Sequence, residues 1–183
     1  MLLKSEYKIY CRSSTGNNRY FGKLSANMSG TEFQIYISEN GVHENIKAEM
    51  YFPNDSKSNQ PRYFIMVSLI DGHKISDLTV HDSNNATLKT LYQQECNRSK
   101  MMLLHTRKPI FYEQIRGFVL NFSGRVSMPS IKNFILEDVN TNKEVLMFGK
   151  IDKDNFRLQI SSPLNCVIGT AVALIQFEGR FME

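Results

Sequence analysis

Residues 162–177, with the sequence SPLNCVIGTAVALIQF, differ in pattern from the rest of the chain. Ser162 and Pro163 are typical of a helix N-cap and first turn, and the segment from Leu164 onward is almost wholly apolar and small. A helix that is apolar on every side is stable in water only when other elements surround it. The pattern therefore predicts a central helix from Pro163 to Phe177 that is buried within the rest of the domain.

The elements around this helix are predicted to be β-strands. Apolar and polar residues alternate along residues 33–38, 118–123 and 156–161, and runs rich in Phe, Ile, Val and Tyr occupy 63–70, 101–105, 134–138 and 144–148. Such alternation is typical of strands with one buried face, and turn residues separate the runs. We expect a mainly β fold: a closed or nearly closed antiparallel β-barrel around the helix. A helix that packs on one face of a sheet is the alternative.

Composition limits the class of protein. The chain has 183 residues, of which 42% are hydrophobic and 22% are charged, so it has enough apolar surface for one core and is not disordered. Its longest uncharged apolar stretch is about half of the roughly 20 residues that a membrane-spanning helix needs. The three cysteines match neither a disulfide framework nor a zinc motif. We expect a single domain over residues 1–183 in a reducing compartment, the cytosol or the nucleus.

Basic residues are concentrated in one segment. Residues 97–132 contain seven Lys or Arg and one acid, Glu113, whereas residues 133–183 contain five basic and seven acidic residues. The contrast suggests a face for an anionic partner, either phosphate, nucleic acid or a membrane surface, and the alternative is solvated strand faces. The seven cations are Arg98, Lys100, Arg107, Lys108, Arg116, Arg125 and Lys132.

The sequence carries no motif typical of catalysis. His43, His73, His81 and His105 are isolated, with no HExxH or CxxC spacing and no serine in a nucleophile-elbow pattern. Cys166 lies in the apolar segment and is predicted to be a small buried residue, because burial raises the pKa of a thiol and makes it unreactive. We therefore predict a protein that is not an enzyme and that needs neither a metal nor a cofactor.

A set of linked motifs runs along most of the chain. The strongest are FVLNFSGRV at 118–126, SIKNF at 130–134, MFGK at 147–150, and the later segments 163–164 and 171–177; upstream are YFGKLSAN at 20–27, GTEF at 30–33, NGV at 40–42 and PR at 61–62. In order and spacing they resemble the carboxy-terminal domain of the Tubby and Tubby-like proteins, over roughly residues 5 to 183. Several linked motifs in order are far more specific than one short pattern.

The resemblance implies a fold and a function. The family's fold is a closed barrel of twelve strands around a central hydrophobic carboxy-terminal helix. Its members bind phosphoinositides, above all phosphatidylinositol 4,5-bisphosphate, and act as peripheral membrane adaptors that bring membrane proteins to cilia. The implied partners are a phosphoinositide-containing membrane surface and ciliary cargo proteins.

We expect a monomer in the cytoplasm, at the plasma or ciliary membrane, or in the nucleus. The alternative is a nucleic-acid-binding or transcription-related protein that uses the basic surface of residues 97–132.

The resemblance also implies a lipid site. The family's lysine in the Gly-Lys-Leu motif is Lys23, and its arginine after proline is Arg62. Its second basic residue is Ser25 here, and its asparagine before a tyrosine of the preceding strand is Glu6. Phosphate recognition uses charge-assisted hydrogen bonds from Lys and bidentate Arg, so these two differences alter affinity and headgroup choice. From the resemblance we also expect that the family's first strands and amino-terminal tail lack a counterpart before Ser5.

Two basic residues within the strongest motifs are predicted to be structural. Arg125 is expected to anchor strands through contacts with backbone carbonyls or carboxylates, and Lys132 is expected to have a structural role as well. The alternative for both residues is a role in lipid binding.

Overall fold

The computed structural model describes residues 3–12, 14, 16–39, 41, 43–52, 63–70, 72–79 and 86–177. This part of the chain is mainly β, as the alternating pattern predicts. The elements are β1 (Leu3–Arg12), β2 (Asn18–Asn27), β3 (Glu32–Glu39), β4 (His43–Tyr51), β5 (Ile65–Leu69), α1 (Leu88–Gln93), β6 (Met101–Thr106), β7 (Ile110–Tyr112), β8 (Gly117–Val119), β9 (Phe134–Asp138), β10 (Glu144–Lys150), β11 (Phe156–Ile160) and α2 (Cys166–Ile175). Arg62 of the predicted lipid site lies outside the described residues.

Nine of these strands form one antiparallel sheet. Their order is β1-β2-β3-β4-β5-β6-β9-β10-β11, so neighbours in the chain pair throughout except where β6 lies beside β9. β7 and β8 form a separate two-stranded sheet. Among the described residues, the end strands β1 and β11 are not hydrogen-bonded to each other, so the predicted closure of the barrel is not observed.

The nine-stranded sheet curls around α2. The helix contacts β2 and β3 near one end of the strand order and β11 at the other end, which requires the sheet to curve. Ala171 is fully buried and lies in one core with residues such as Phe33 and Phe148. A Cβ atom at Gly169 would lie 2.3 Å from Cδ1 of Ile160, so the absence of a side chain allows β11 to pack against the helix.

The helix differs from its prediction at its start, on one face, and at its end, which is Ile175 rather than Phe177. It begins at Cys166 rather than at Pro163, because the side chain of Asn165 caps it by accepting a hydrogen bond from the backbone N–H of Ile168 at 3.0 Å. Cys166 is exposed and Leu174 is 44% exposed, so burial on every side, and of the thiol in particular, is wrong. An unclosed sheet surrounds only part of a helix, and the remaining face meets solvent.

The strand predicted at 118–123 is much shorter in the structure. β8 ends at Val119, and Phe118 is exposed. Beyond it, Oδ1 of Asn121 accepts a hydrogen bond from the backbone N–H of Ser123 at 2.8 Å, and Ser123 has a φ of 50°. A side chain that bonds to the nearby backbone competes with strand pairing, which explains why the chain turns here despite its alternating pattern. The other predicted strands are confirmed.

A buried carboxylate attaches α1 to the outer face of the sheet. Glu49 of β4 is 2% exposed, and its Oε2 accepts hydrogen bonds from the backbone N–H of Leu88, at 2.8 Å, and from the Tyr51 hydroxyl. Its Oε1 accepts a hydrogen bond from Nε2 of Gln34 at 3.0 Å. A buried polar side chain is tolerated only when it is hydrogen-bonded in this way. The sequence pattern did not predict α1.

Candidate functional site around Lys23

The predicted lipid-site lysine lies on the outer face of β2. Its neighbour Leu24 is 1% exposed and belongs to the core, and successive side chains of a strand point to opposite faces, so Lys23 points outward. The register places Lys23 opposite Lys8 of β1 and opposite Tyr36 of β3. We refer to Glu6, Tyr20, Lys23, Tyr36 and Glu44 as the Lys23 cluster.

Two carboxylates bind the ammonium group of Lys23. Its Nζ lies 2.7 Å from Oε2 of Glu44 and 3.1 Å from Oε2 of Glu6, and it also lies 5.2 Å from the ring centroid of Tyr36. The lysine side chain remains 22% exposed. One cation between two anions leaves a local net charge of about −1, so a phosphate has to compete with both carboxylates for this cation.

These contacts shift the pKa values of Lys23, Glu44 and Tyr20. The hydrogen bond with Glu44 is the main cause that raises the pKa of Lys23 above its ordinary value. Partial burial works to raise the pKa of Glu44, but hydrogen bonds from Lys23 and Tyr20 outweigh it and hold the pKa below its usual range. Burial, followed by the hydrogen bond that its hydroxyl donates to Glu44, raises the pKa of Tyr20 to about 12. At neutral pH Lys23 and Glu44 therefore form a charged pair, and the Tyr20 hydroxyl keeps its proton.

Gly22 allows β2 and β3 to approach closely beside Lys23. A Cβ atom at this position would lie 2.0 Å from the backbone oxygen of Tyr36, a distance that no side chain could relieve by rotating. The glycine of the Gly-Lys-Leu motif is thus required by the backbone of the neighbouring strand. It keeps the lysine at the register position where the carboxylates meet it.

Ser25, which stands at the family's second basic position, does not reach the surface. It is fully buried, and its Oγ forms no hydrogen bond with any residue that the structure describes. It lies opposite Glu6 and Gln34 in the two neighbouring strands. In this conformation Ser25 can contact neither solvent nor a headgroup.

The structure therefore brings together only part of the predicted site. Lys23 and Glu6 meet, Ser25 lies beneath the surface, and Arg62 falls outside the described residues. Tyr20 and Glu44 complete the cluster and were not predicted. Glu44 pairs with Ser38 in the register of β3 and β4. Its position near Lys23 could therefore be predicted only by knowing how these strands pair.

Arg125 is structural, as predicted. Its guanidinium binds both carboxylate oxygens of Glu144, with Nη2 2.9 Å from Oε2, and its Nε donates to the backbone oxygen of Phe122 at 2.8 Å. Nη1 also donates to the side chain of Gln159 at 3.2 Å, and the backbone oxygen of Arg125 accepts a hydrogen bond from Arg157 at 3.0 Å. This arginine ties the loop after β8 to β10 and β11.

Other cations of the basic segment are also paired within the chain. Nε of Arg107 lies 2.5 Å from Oε1 of Glu137, and Lys100 donates a hydrogen bond to the backbone oxygen of Asp77. The local excess of positive charge at 97–132 is partly neutralised by acids of β9 and β10, which are distant in the sequence but adjacent in the sheet.

No group of three or more His, Cys, Asp or Glu side chains within the described part of the chain is arranged to hold a metal ion. No helix in it has the length and apolar character needed to cross a membrane.

Comparisons with known proteins identify the family. Residues 3–179 match the sequence pattern of the Tub family. King tubby of Drosophila pseudoobscura pseudoobscura is 27% identical over 190 residues, which cover 96% of this chain and 41% of that protein. King tubby 1 of Aedes aegypti is 30% identical over 187 residues, which cover 96% of this chain and 45% of that protein. The chain thus spans less than half the length of these relatives. It belongs to the Tub family.

Proposed function

We propose that this chain is a non-catalytic module that binds phosphoinositide headgroups, above all phosphatidylinositol 4,5-bisphosphate, at the membrane periphery. The observation that carries the proposal is the position of Lys23, which the close approach of β2 and β3 at Gly22 holds, partly exposed, on the outer face of the sheet. An adaptor role in bringing membrane proteins to cilia is part of the same proposal. That role rests on family membership alone, and the matched relatives are more than twice as long.

The Lys23 cluster also indicates how binding would differ from that at a site made only of cations. A phosphate that reaches Nζ of Lys23 must displace the carboxylate of Glu44 or that of Glu6. The exposed Lys8, opposite Lys23 in β1, offers a second ammonium group on the same face. We therefore expect a weak intrinsic affinity that depends on several headgroup phosphates and on the charge of the surrounding membrane.

Vesicle co-sedimentation tests the proposal. Vesicles that contain each phosphoinositide are compared with phosphatidylserine vesicles of the same total charge. We expect more protein to sediment with the 4,5-bisphosphate, and the Lys23→Ala, Arg62→Ala double variant to lose this excess while its circular dichroism spectrum is unchanged. Lys153→Ala, in an exposed turn after β10, is the matched control and should bind normally. Equal sedimentation with phosphatidylserine would contradict headgroup recognition.

Salt and soluble competitors add two further tests. Exposed charges are screened within about 8 Å at physiological ionic strength, so higher salt should weaken binding to anionic vesicles. Inositol phosphate headgroups should displace the protein at concentrations well below those at which any polyanion does so. Displacement by duplex DNA at the same concentrations would instead favour the nucleic-acid alternative.

A further inference from the structure

The β7–β8 hairpin, residues 110–119, exposes an unusual amount of apolar surface. It forms its own two-stranded sheet, apart from the nine-stranded sheet that holds the core. Ile110 is 64% exposed and Ile115, in the turn, is 65% exposed. The exposed apolar residues of the hairpin are Ile110, Phe111, Tyr112, Ile115, Phe118 and Val119. Large apolar side chains that are exposed together in one short hairpin mark a surface that binds a partner or a membrane.

Both faces of this hairpin are apolar. Phe111 lies opposite Phe118, with ring centroids 5.2 Å apart, and Ile110 lies opposite Val119. Adjacent residues of a strand point to opposite faces, so the Phe pair lies on one face and the Ile–Val pair on the other. A single flat protein surface would cover only one of these faces, whereas the fluid interface of a bilayer can surround both.

Exposed cations flank the apolar residues. Lys108 comes just before β7, and Arg116 lies in the turn between the strands with a φ of 46°. Glu113 is the only acid within residues 107–120. Cations at both ends of an apolar segment match an anionic leaflet, where ammonium and guanidinium groups contact phosphates and apolar side chains reach the acyl boundary.

We propose that the hairpin inserts into the interfacial region of an anionic membrane. The membrane as partner rests on the proposed function, and the hairpin adds to it a second, apolar anchor that headgroup recognition does not supply. Lys108 and Arg116 contact lipid phosphates, while Phe111, Phe118 and Ile115 lie among the upper acyl chains. Attraction between charges brings the protein to the surface, and insertion makes part of the binding resistant to salt.

A fluorescent reporter tests insertion directly. The chain contains no tryptophan, so Phe118→Trp introduces a single indole into the hairpin. With vesicles that contain phosphatidylserine or phosphatidylinositol 4,5-bisphosphate, we expect its emission to shift to shorter wavelength and brominated lipids to quench it. Val139→Trp, at an exposed position in the turn after β9, is the matched control and should stay unquenched.

The outcomes separate this proposal from the proposed function. If the protein sediments selectively with the 4,5-bisphosphate while the Phe118→Trp indole stays unquenched, insertion is overturned and headgroup recognition stands. If phosphatidylserine vesicles of equal charge quench the indole equally, insertion stands and headgroup selectivity fails. A shift without vesicles that grows with protein concentration would show that the hairpin pairs with a second copy, which would overturn insertion. Sedimentation with none of the vesicles would overturn both proposals.

Charge variants in the turn provide a second test. Ile115→Asp should lower vesicle binding at high salt about tenfold, whereas Val139→Asp should leave it unchanged. Both sites are exposed, so both variants should melt close to the parent. Glu113→Gln removes the acid of the hairpin and should raise binding to anionic vesicles about fivefold. Unchanged high-salt binding in Ile115→Asp would overturn insertion.

Discussion

The ammonium nitrogen of Lys23 lies 2.7 Å from Oε2 of Glu44, closer than the 3.1 Å that separates it from Oε2 of Glu6. The nearer carboxylate comes from β4, two strands away from β2 in the sheet. Lys23 stands where the resemblance places the family's phosphate-binding lysine. Its ammonium group therefore already forms an ion pair with a carboxylate of the same chain. If the chain binds phosphoinositides as proposed, the strength of binding should depend on how easily this carboxylate is displaced.

Neutralising both carboxylates of the cluster should strengthen lipid binding. In the Glu6→Gln, Glu44→Gln double variant, Lys23 keeps hydrogen-bonding neighbours but loses both competing charges. Each negative charge removed near an anionic leaflet should raise affinity about fivefold, since a charge there contributes roughly 1 kcal/mol. Vesicle co-sedimentation against lipid concentration measures this change. Asp154→Asn, in an exposed turn after β10, is the control for net charge. The control removes one negative charge and the double variant removes two, so an equal gain per removed charge would show that the cluster has no special role.

Gly22 should tolerate no side chain. Gly22→Ala places a Cβ atom 2.0 Å from the backbone oxygen of Tyr36, so β2 and β3 must move apart, at a cost of about 1–3 kcal/mol or more in the free energy of unfolding. Ser25→Ala, three residues along the same strand, is the control. It removes a buried hydroxyl that bonds to none of the described residues, and stability should change by less than about 0.5 kcal/mol. Urea denaturation of the two variants decides the matter, and equal stability would refute the close approach.

The two faces of α2 should respond differently to the same substitution. Ala171→Arg buries an unpaired charge and should cost several kcal/mol, against a typical total stability of 5–15 kcal/mol. Leu174→Arg, on the same helix at a position that is 44% exposed, should melt close to the parent. Thermal melts followed by circular dichroism measure both. If Ala171→Arg melts like Leu174→Arg, the helix is not the centre of the core.

The pair of Arg125 and Glu144 should make the fold sensitive to acid. The hydrogen bond from Arg125 is the main cause that holds the pKa of Glu144 below its ordinary value of 4.5. A carboxyl group whose pKa is lower in the folded state stabilises the fold above its unfolded pKa and loses this effect as pH falls through the folded pKa. The free energy of unfolding should therefore decline as pH falls below 4.5, and Glu144→Gln should reduce the slope. An identical slope in the variant would show that the pair contributes nothing.

The same pair can be tested at neutral pH. Arg125→Lys keeps the charge but loses the planar fork that contacts both carboxylate oxygens, and should cost about 1 kcal/mol. Lys153→Arg, in an exposed turn, makes the reverse exchange away from any such pair and should be neutral. Denaturant midpoints compare the two variants. If Arg125→Lys leaves the denaturant midpoint unchanged, the positive charge alone is enough at this position.

Local pattern predicted β3, β5, β6, β9, β10, β11 and the central helix because each depends on nearby residues, whereas β1, β2, β4 and β7 were not predicted. The alternation at 33–38 and 156–161 is found in β3 and β11, and the apolar run after Asn165 forms α2. The helix start was misplaced because Ser162 and Asn165 are both suitable N-caps, and only the structure shows that the side chain of Asn165 makes the capping bond.

The charge network could not be predicted, because strand register determines it. Glu44 is 21 positions from Lys23 in the numbering, and Glu144 is 19 positions from Arg125. Neither pair has a sequence signature, and both depend on which strands become neighbours. The exposed face of α2 was missed for a related reason: the extent of a curled sheet depends on whether its end strands meet, which hydrophobic periodicity does not encode.

During protein synthesis, α2 is made after the strands that it packs against. β2 ends at Asn27 and α2 begins at Cys166, so the helix that fills the core emerges after all the described strands. At roughly 5–20 residues per second, the core-facing side chains of β2 wait about 7–30 seconds for the helix. Over that interval the concave face of the growing sheet has no helix packed against it. A nascent chain that stalls before α2 would keep this surface open to aggregation and to chaperones.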